Sequence, residues 1–435
     1  MAPSWMMLER FVFRRDNDES FPGIDIAPFT TSGTFLGSPF TIALHVAHPP
    51  AISRLYLRWP AGHGRDPNKI SSSCILLAAH RDLLLFRLIA DDPVVPDGDP
   101  HFMLSQHDHF ICRASPSDSL PPLQLRNIPM CELPVALVRA TQGKPIITRL
   151  MFGDMDPVGI LRRGEDEFAM AQLGLTRPLR WERSEAELCV LRSKVGDSDH
   201  RWDVQEHLPV NYQENESDDL WRWTTDAVVA FDNHLCWVNY GVGGVLFCNV
   251  FQKKPLVTYL RLPIPDRCFD HPEFRDANRS VCVTKTTVGG HAYEQLKFID
   301  IVREDGNRNG PLSNGTGFRV TYHSLRTTES SGMEWVMTFF VTSDELWARN
   351  PLLPVEALMY PLVSMDKPNV VHFLLRQHQM RAVDTLSLVT IDMRSKLVIS
   401  VDSYLSKDGK EALPDQAMKQ YLVVLHVALE EQEKS

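Results

Sequence analysis

The 435-residue sequence has no long apolar run; the longest is the six residues Cys74–Ala79, where a bilayer-spanning helix needs roughly 18. No transmembrane helix is therefore expected. Nor is there an excess of cations. Lys and Arg number 45 against 55 Asp and Glu, a net charge of −10. Phosphate neutralisation needs clustered Lys and Arg, so this balance argues against a general nucleic-acid binder. The eight cysteines, at positions 74, 112, 131, 189, 236, 248, 268 and 282, include no CxxC pair. Close ligand pairs are what zinc and redox motifs require, and most of these cysteines sit in apolar strand-like runs. Buried free thiols are expected. The opening MAPSWMMLERFVFRRD lacks a signal-peptide apolar core and carries Glu9 within it, which points to the cytosol or nucleus. On the same ground the sequons at Asn215, Asn278 and Asn314 are chance matches.

Long helical periodicity is nearly absent before the C-terminus, and what recurs is a short β-type run, a polar turn and another run. Ala227 to Leu262 is the clearest block, reading AVVAF, DNH, LCWVNY, GVGG, VLFCNVF, QKKP and LVTYLRL. Four strand candidates with tight turns make an antiparallel meander, the unit of a propeller blade. Weaker blocks lie at Thr41–Ile89, Phe110–Met151, Val158–Leu208, Val281–Val341 and Val370–Val401, the last one strand short. Their irregular starts fit degenerate blades with insertions better than a regular array; a pair of β-sandwiches is the alternative. The polar stretches 91–108, 196–219, 303–317 and 327–332 read as exposed loops. Met418, Tyr421, Leu422, Leu425 and Leu429 fall on one helical face, which predicts a short C-terminal helix.

No motif carries chemistry. His80-Arg81-Asp82 spells the kinase catalytic-loop triplet, but Arg87 stands where a metal-binding Asn is needed, and no Gly-rich loop precedes it. It reads as a turn between two strands. His107, Asp108 and His109 offer two imidazoles without a third ligand, in a polar segment that reads as solvated loop. Glu165, Asp166 and Glu167 read as an acidic hairpin turn, and the GVGG at 241–244 lacks the following helix of a phosphate loop. The tryptophans, among them Trp221, Trp223, Trp237, Trp335 and Trp347, read as plugs between sheets.

The block 221–251, WRWTTDAVVAFDNHLCWVNYGVGGVLFCNVF, resembles a plant family expanded in grasses, known as domain of unknown function 1618. FVFRRD, PPAISRLYLRWP, ILLAAHRDLLLFRL, GILRRGEDEFAMAQL, ELCVLRS, YLRLP, RSVCVT, LKFIDI and PLVSMDKPNVVHFLL match in order, from about Leu8 to about Val401. The resemblance implies a degenerate propeller akin to F-box-associated and kelch-like domains, and brings no established activity. Some plant relatives carry an F-box ahead of the body; here the body begins within ten residues of Met1, which weakens a ubiquitin-ligase adaptor reading. Asn239 and Asn249 stand where the family pattern usually has Asp.

The expectation is an all-β, degenerate β-propeller of about six blades with a short C-terminal helix. Residues 1–405 form the body, residues 406–435 the tail, and Arg10–Phe13 supplies the strand missing from the block at 370–401. The expected function is a non-catalytic scaffold or recognition module for a protein partner, without catalytic, cofactor or metal residues, membrane attachment or evidence for an obligate oligomer. The alternative is an enzyme or small-ligand binder using the central channel. Converging His, Asp, Glu or Arg at the channel would favour that alternative.

Overall fold

The computed structural model describes residues 4–16, 21–23, 29–34, 37–60, 74–91, 105–114, 123–129, 157–164, 167–176, 183–194, 201–264, 275–288, 291–307, 310–328, 332–377, 385–404 and 424–428. Strands dominate them, as period-two burial dictates: in Cys74–His80, for example, buried and half-buried positions alternate. The first sheet holds β1 (Trp5–Arg14), β2 (Phe29–Gly33), β3 (Pro39–His45), β4 (Ile52–Arg58), β5 (Cys74–His80), β6 (Leu83–Asp91), β7 (Ser105–Ala114) and β8 (Leu123–Ile128). Their order is β2-β3-β4-β1-β5-β6-β7-β8. Strands β5 to β8 form one antiparallel meander. Strand β1 lies parallel to β4 and touches the meander at Phe11 opposite Ile75. The block expected at 41–89 thus divides between two four-stranded groups.

The second sheet contains two meanders. One is β9 (Gly159–Arg163), β10 (Glu167–Thr176), β11 (Glu185–Lys194) and β12 (Trp202–Asn211). The other is β13 (Ala227–Phe231), β14 (His234–Asn239), β15 (Gly244–Cys248) and β16 (Val257–Arg261), as the sequence pattern led one to expect. A short parallel pairing of β12 with β16 joins them. The β14–β15 hairpin turns on Gly243 at φ 76°, a conformation that glycine adopts without penalty. A Cβ on Gly243 would come within 2.2 Å of Ile264. Between the meanders runs helix α1 (Ser217–Trp221), so the stretch read as a loop at 196–219 contains both β12 and a helical turn.

The third sheet is β17 (Arg279–Val288), β18 (His291–Arg303), β19 (Phe318–Thr328) and β20 (Gly332–Thr342). Helix α2 (Ser343–Arg349) follows, with Thr342 and Glu345 forming its capping box. The fourth sheet is β21 (Leu358–Val363), β22 (Val370–Gln377), β23 (Thr385–Asp392) and β24 (Leu397–Ser403).

Two expectations are corrected here. The strand missing from the last block is β21, supplied from within the chain, and β1 does not pair with 370–401. Residues 424–428, expected within a helix, form β25 (Val424–Ala428), antiparallel to β1 from Trp5–Ala428 to Glu9–Val424. A Leu- and Val-rich segment suits either state locally, and the stretch Trp5–Glu9 of β1, which β5 does not pair, decides in favour of the strand. The pairing joins the two chain ends by a route other than the expected one. The remaining helix positions lie outside the described residues, except Leu425.

Apolar clusters fill the spaces between successive meanders. Leu85 and Ile111 meet Ile160 and Met170, and Val238 and Phe247 meet Val281 and Phe298. Trp5 and Phe13 join Phe373 and Val389 of the fourth sheet. Each such side chain contributes about 1.5–3 kcal/mol on burial. The first strands lie against one another in chain order: β1 against β5, β5 against β9, β9 against β13, β13 against β17, and β17 against β21.

Candidate functional site

Because the first strands adjoin, charged residues at their starts meet around one cavity. Asp226, just before β13, accepts from the Tyr240 N–H at 2.6 Å and faces Arg275 at 3.4 Å. Asp276, just before β17, lies close enough to feel the Arg10 cation and the Asp226 anion. Arg279 donates to Asp300 at 2.8 Å and to the Tyr240 carbonyl at 2.5 Å. From β21 comes Tyr360, whose N–H donates to the Ala277 carbonyl at 2.6 Å and whose φ is 50°. A bulky residue in the left-handed region is held there only by its surroundings. Arg10, Asp226, Tyr240, Asp276, Arg279 and Tyr360 line a cavity of about 60 Å³.

Burial pushes the Asp276 carboxyl up to about 7, Arg10 partly opposing and Asp226 assisting. Asp226 is raised too, chiefly by burial, with Arg275 opposing. The Asp226 charge thus adds to burial in keeping the Asp276 carboxyl protonated up to about pH 7. The space holds water-sized occupants and no organic cofactor.

At the opposite ends of these strands a groove of about 780 Å³ opens among the hairpin turns. Strand β17 runs from Arg279 at the cavity to Lys285 in the groove, so the two lie about 20 Å apart at 3.3 Å per residue. Arg81, Arg162, Arg163 and Lys285 supply the groove's cations, and Asp232 and Glu294 its carboxylates. Leu256 and Tyr293 stand 52% and 45% exposed there, apolar surface in the middle of a charged frame. Arg81 adopts φ 55° at the turn after β5. Beside it, His80 is held neutral, down to about 3, by burial and by the cations Arg81, Lys285 and Arg162.

The triplet His80-Arg81-Asp82 does turn the β5–β6 hairpin. It is also a buried junction: Asp82 accepts from Arg113 at 2.8 Å and pairs with Arg162, while His80 Nδ1 accepts from the Arg162 N–H at 2.9 Å. His107, Asp108 and His109 lie in β7, not in a loop, and Asp108 and His109 are buried. Glu167 follows a hairpin turn and pairs with Arg163; Glu165 and Asp166 lie outside the described residues. Cys74, Cys112, Cys189, Cys236, Cys248 and Cys282 are free and buried, and Cys131 and Cys268 lie outside the described residues. Trp237 and Trp223 are buried, whereas Trp221 is half exposed.

Asn239 is buried and uses both ends of its amide, donating to Thr224 and accepting from the Val242 N–H at 2.7 Å. An aspartate could not donate there, which accounts for the asparagine. The central residues Asp226, Asp276, Arg279 and Tyr360 were not singled out by sequence, since each is a lone polar residue beside a strand or within one.

Comparison with known proteins bears on the second half of the chain. No curated protein matches it. The match to one family begins at Trp237 in β14, spans the whole third sheet and ends at His372 in β22, so it takes in Tyr240, Asp276, Arg279 and Tyr360 of the cavity. That family is described as Protein of unknown function (DUF1618), and residues 237–372 of this chain are similar to it.

Proposed function

We propose that the protein is a non-catalytic recognition module, built as a degenerate six-bladed β-propeller, that binds another protein through the groove at the turn ends of its meanders. The propeller reading is supported by six four-stranded groups, counting β1 with β2–β4, and by first strands that adjoin in chain order. Kinship with F-box-associated and kelch-like propeller domains of plants is part of this reading. A reducing compartment, cytosol or nucleus, suits six buried free thiols. The observation that carries the function is the exposed apolar pair Leu256 and Tyr293 inside a frame of both charge signs. Apolar centres with polar rims are how proteins recognise one another.

The alternative, a ligand or reaction site in the central cavity, is favoured by the raised carboxyls of Asp226 and Asp276. A space of about 60 Å³ weighs against it. Capture from native tissue extract with the wild-type chain and with Leu256→Glu/Tyr293→Ala tests the groove. A protein retained by the first and lost by an equally stable second supports the proposal; identical capture contradicts it.

A further inference from the structure

A separate cleft of about 500 Å³ lies at the seam between the first and fourth sheets. Its floor includes Trp5 of β1, His372 of β22 and Thr390 of β23. The His372 imidazole is 4% exposed, and its Nδ1 is engaged with the Thr390 hydroxyl at 3.0 Å. Its Nε2 is buried and has no hydrogen-bond partner. His372 borders the central cavity as well as the cleft. Thr390 and Trp5, whose ring centroid is 6.2 Å away, both line it, as do its two charged neighbours, Asp366 and Lys367. Burial holds the ring neutral, down to about 4.

A buried polar atom without a partner is costly, and native proteins seldom leave one so. Ser400 Oγ, also in this cleft, is a second such atom. The rim adds acceptors at Asp366 and Asp402 and a donor at Lys367. Trp5 and the adjacent prolines 49 and 50 give an apolar wall. Carboxylate acceptors, an ammonium donor and hydroxyl and imidazole groups able to take either role, around one flat apolar surface, suit a ligand whose every polar group both donates and accepts. Hydroxyl groups do this; a ring carrying several of them also offers a C–H face to the indole.

We propose that the seam cleft binds a small free polyhydroxylated ring molecule of the sugar or cyclic-polyol class, held by His372, Ser400 and the charged rim against Trp5. This site is independent of the groove and stands or falls apart from it. A ligand there bridges the first and last sheets, so it stabilises the closed molecule by mass action.

Calorimetric titration of the full chain with D-glucose, D-galactose, N-acetylglucosamine, myo-inositol and, as a cationic control, ethanolamine tests the assignment. Saturable binding of at least one polyol is expected, accompanied by a rise in melting temperature. Asp402→Ala and Lys367→Ala, both at exposed rim positions, should each weaken it about tenfold or more, as loss of a charged hydrogen bond does. These variants should melt like the wild type without ligand, so loss of binding is separable from loss of fold. Absence of saturation with every polyol, binding unaffected by both variants, or saturation by ethanolamine alone would overturn the proposal.

Discussion

Glu9 makes the join between the chain's first strand and its last meander sensitive to pH. The side chain is 1% exposed on β1 and accepts the hydroxyl of Tyr404, which follows β24. Arg54 approaches from β4 and donates to the Tyr404 carbonyl at 2.9 Å. Burial outweighs these contacts and pushes the Glu9 carboxyl up from 4.5 to about 7. The native chain therefore keeps this proton to a higher pH than the unfolded chain. Its stabilising contribution is complete below about pH 4.5 and is lost as the pH rises to about 7. The span corresponds to about 3 kcal/mol.

Glu9→Gln removes the titration while keeping an acceptor for Tyr404. Urea unfolding followed by tryptophan fluorescence should find the variant no more stable than wild type at about pH 5 and more stable at about pH 8. The difference between the two comparisons should be about 3 kcal/mol. Asp276 titrates in the same window, so the Glu9→Gln variant keeps part of the pH slope until Asp276→Asn is added. A pH slope unchanged by Glu9→Gln would refute the reasoning.

Asn239→Asp replaces an amide that both donates and accepts with a buried anion facing the Thr224 carbonyl, at a cost of about 3 kcal/mol that thermal unfolding should show, larger at high pH than at low. Asp82→Asn breaks the buried pairing with Arg162 and weakens that with Arg113, which should cost about 3 kcal/mol; an unchanged melting temperature would contradict the junction described for it. Thiol titration of the native protein should leave Cys74, Cys112, Cys189, Cys236, Cys248 and Cys282 unreactive, because buried apolar surroundings suppress the thiolate. Denaturation should expose all eight cysteines of the chain.

Strands and hairpins were legible wherever alternation and turn chemistry are local. The meander from Ala227 to Arg261 and the turn at Gly164 follow from runs of β-branched and aromatic residues broken by glycine. What failed was decided over long distances. The apolar positions of Leu425 and its neighbours fit a helical stripe and a strand equally, and the choice belonged to the β1 edge at the other end of the chain. The same holds for the partner of the block at 370–401, where β21 carries the inconspicuous sequence LMYPLV. Asp108 and His109 look solvated in QHDHF because two polar residues beside a histidine mimic a loop, although the strand buries both. The central carboxyls were illegible for another reason. Asp226 and Asp276 lie a whole meander apart, and only adjoining first strands bring them to one cavity.

Recognition through the groove is tested most directly by photo-crosslinking in native extract. A benzophenone amino acid at position 293, in the groove, is compared with one at position 352, where Leu352 is 98% exposed outside it. A groove that docks a protein yields a discrete adduct from position 293 and none of that mass from position 352. No adduct at 293, or the same adducts from both positions, would contradict it.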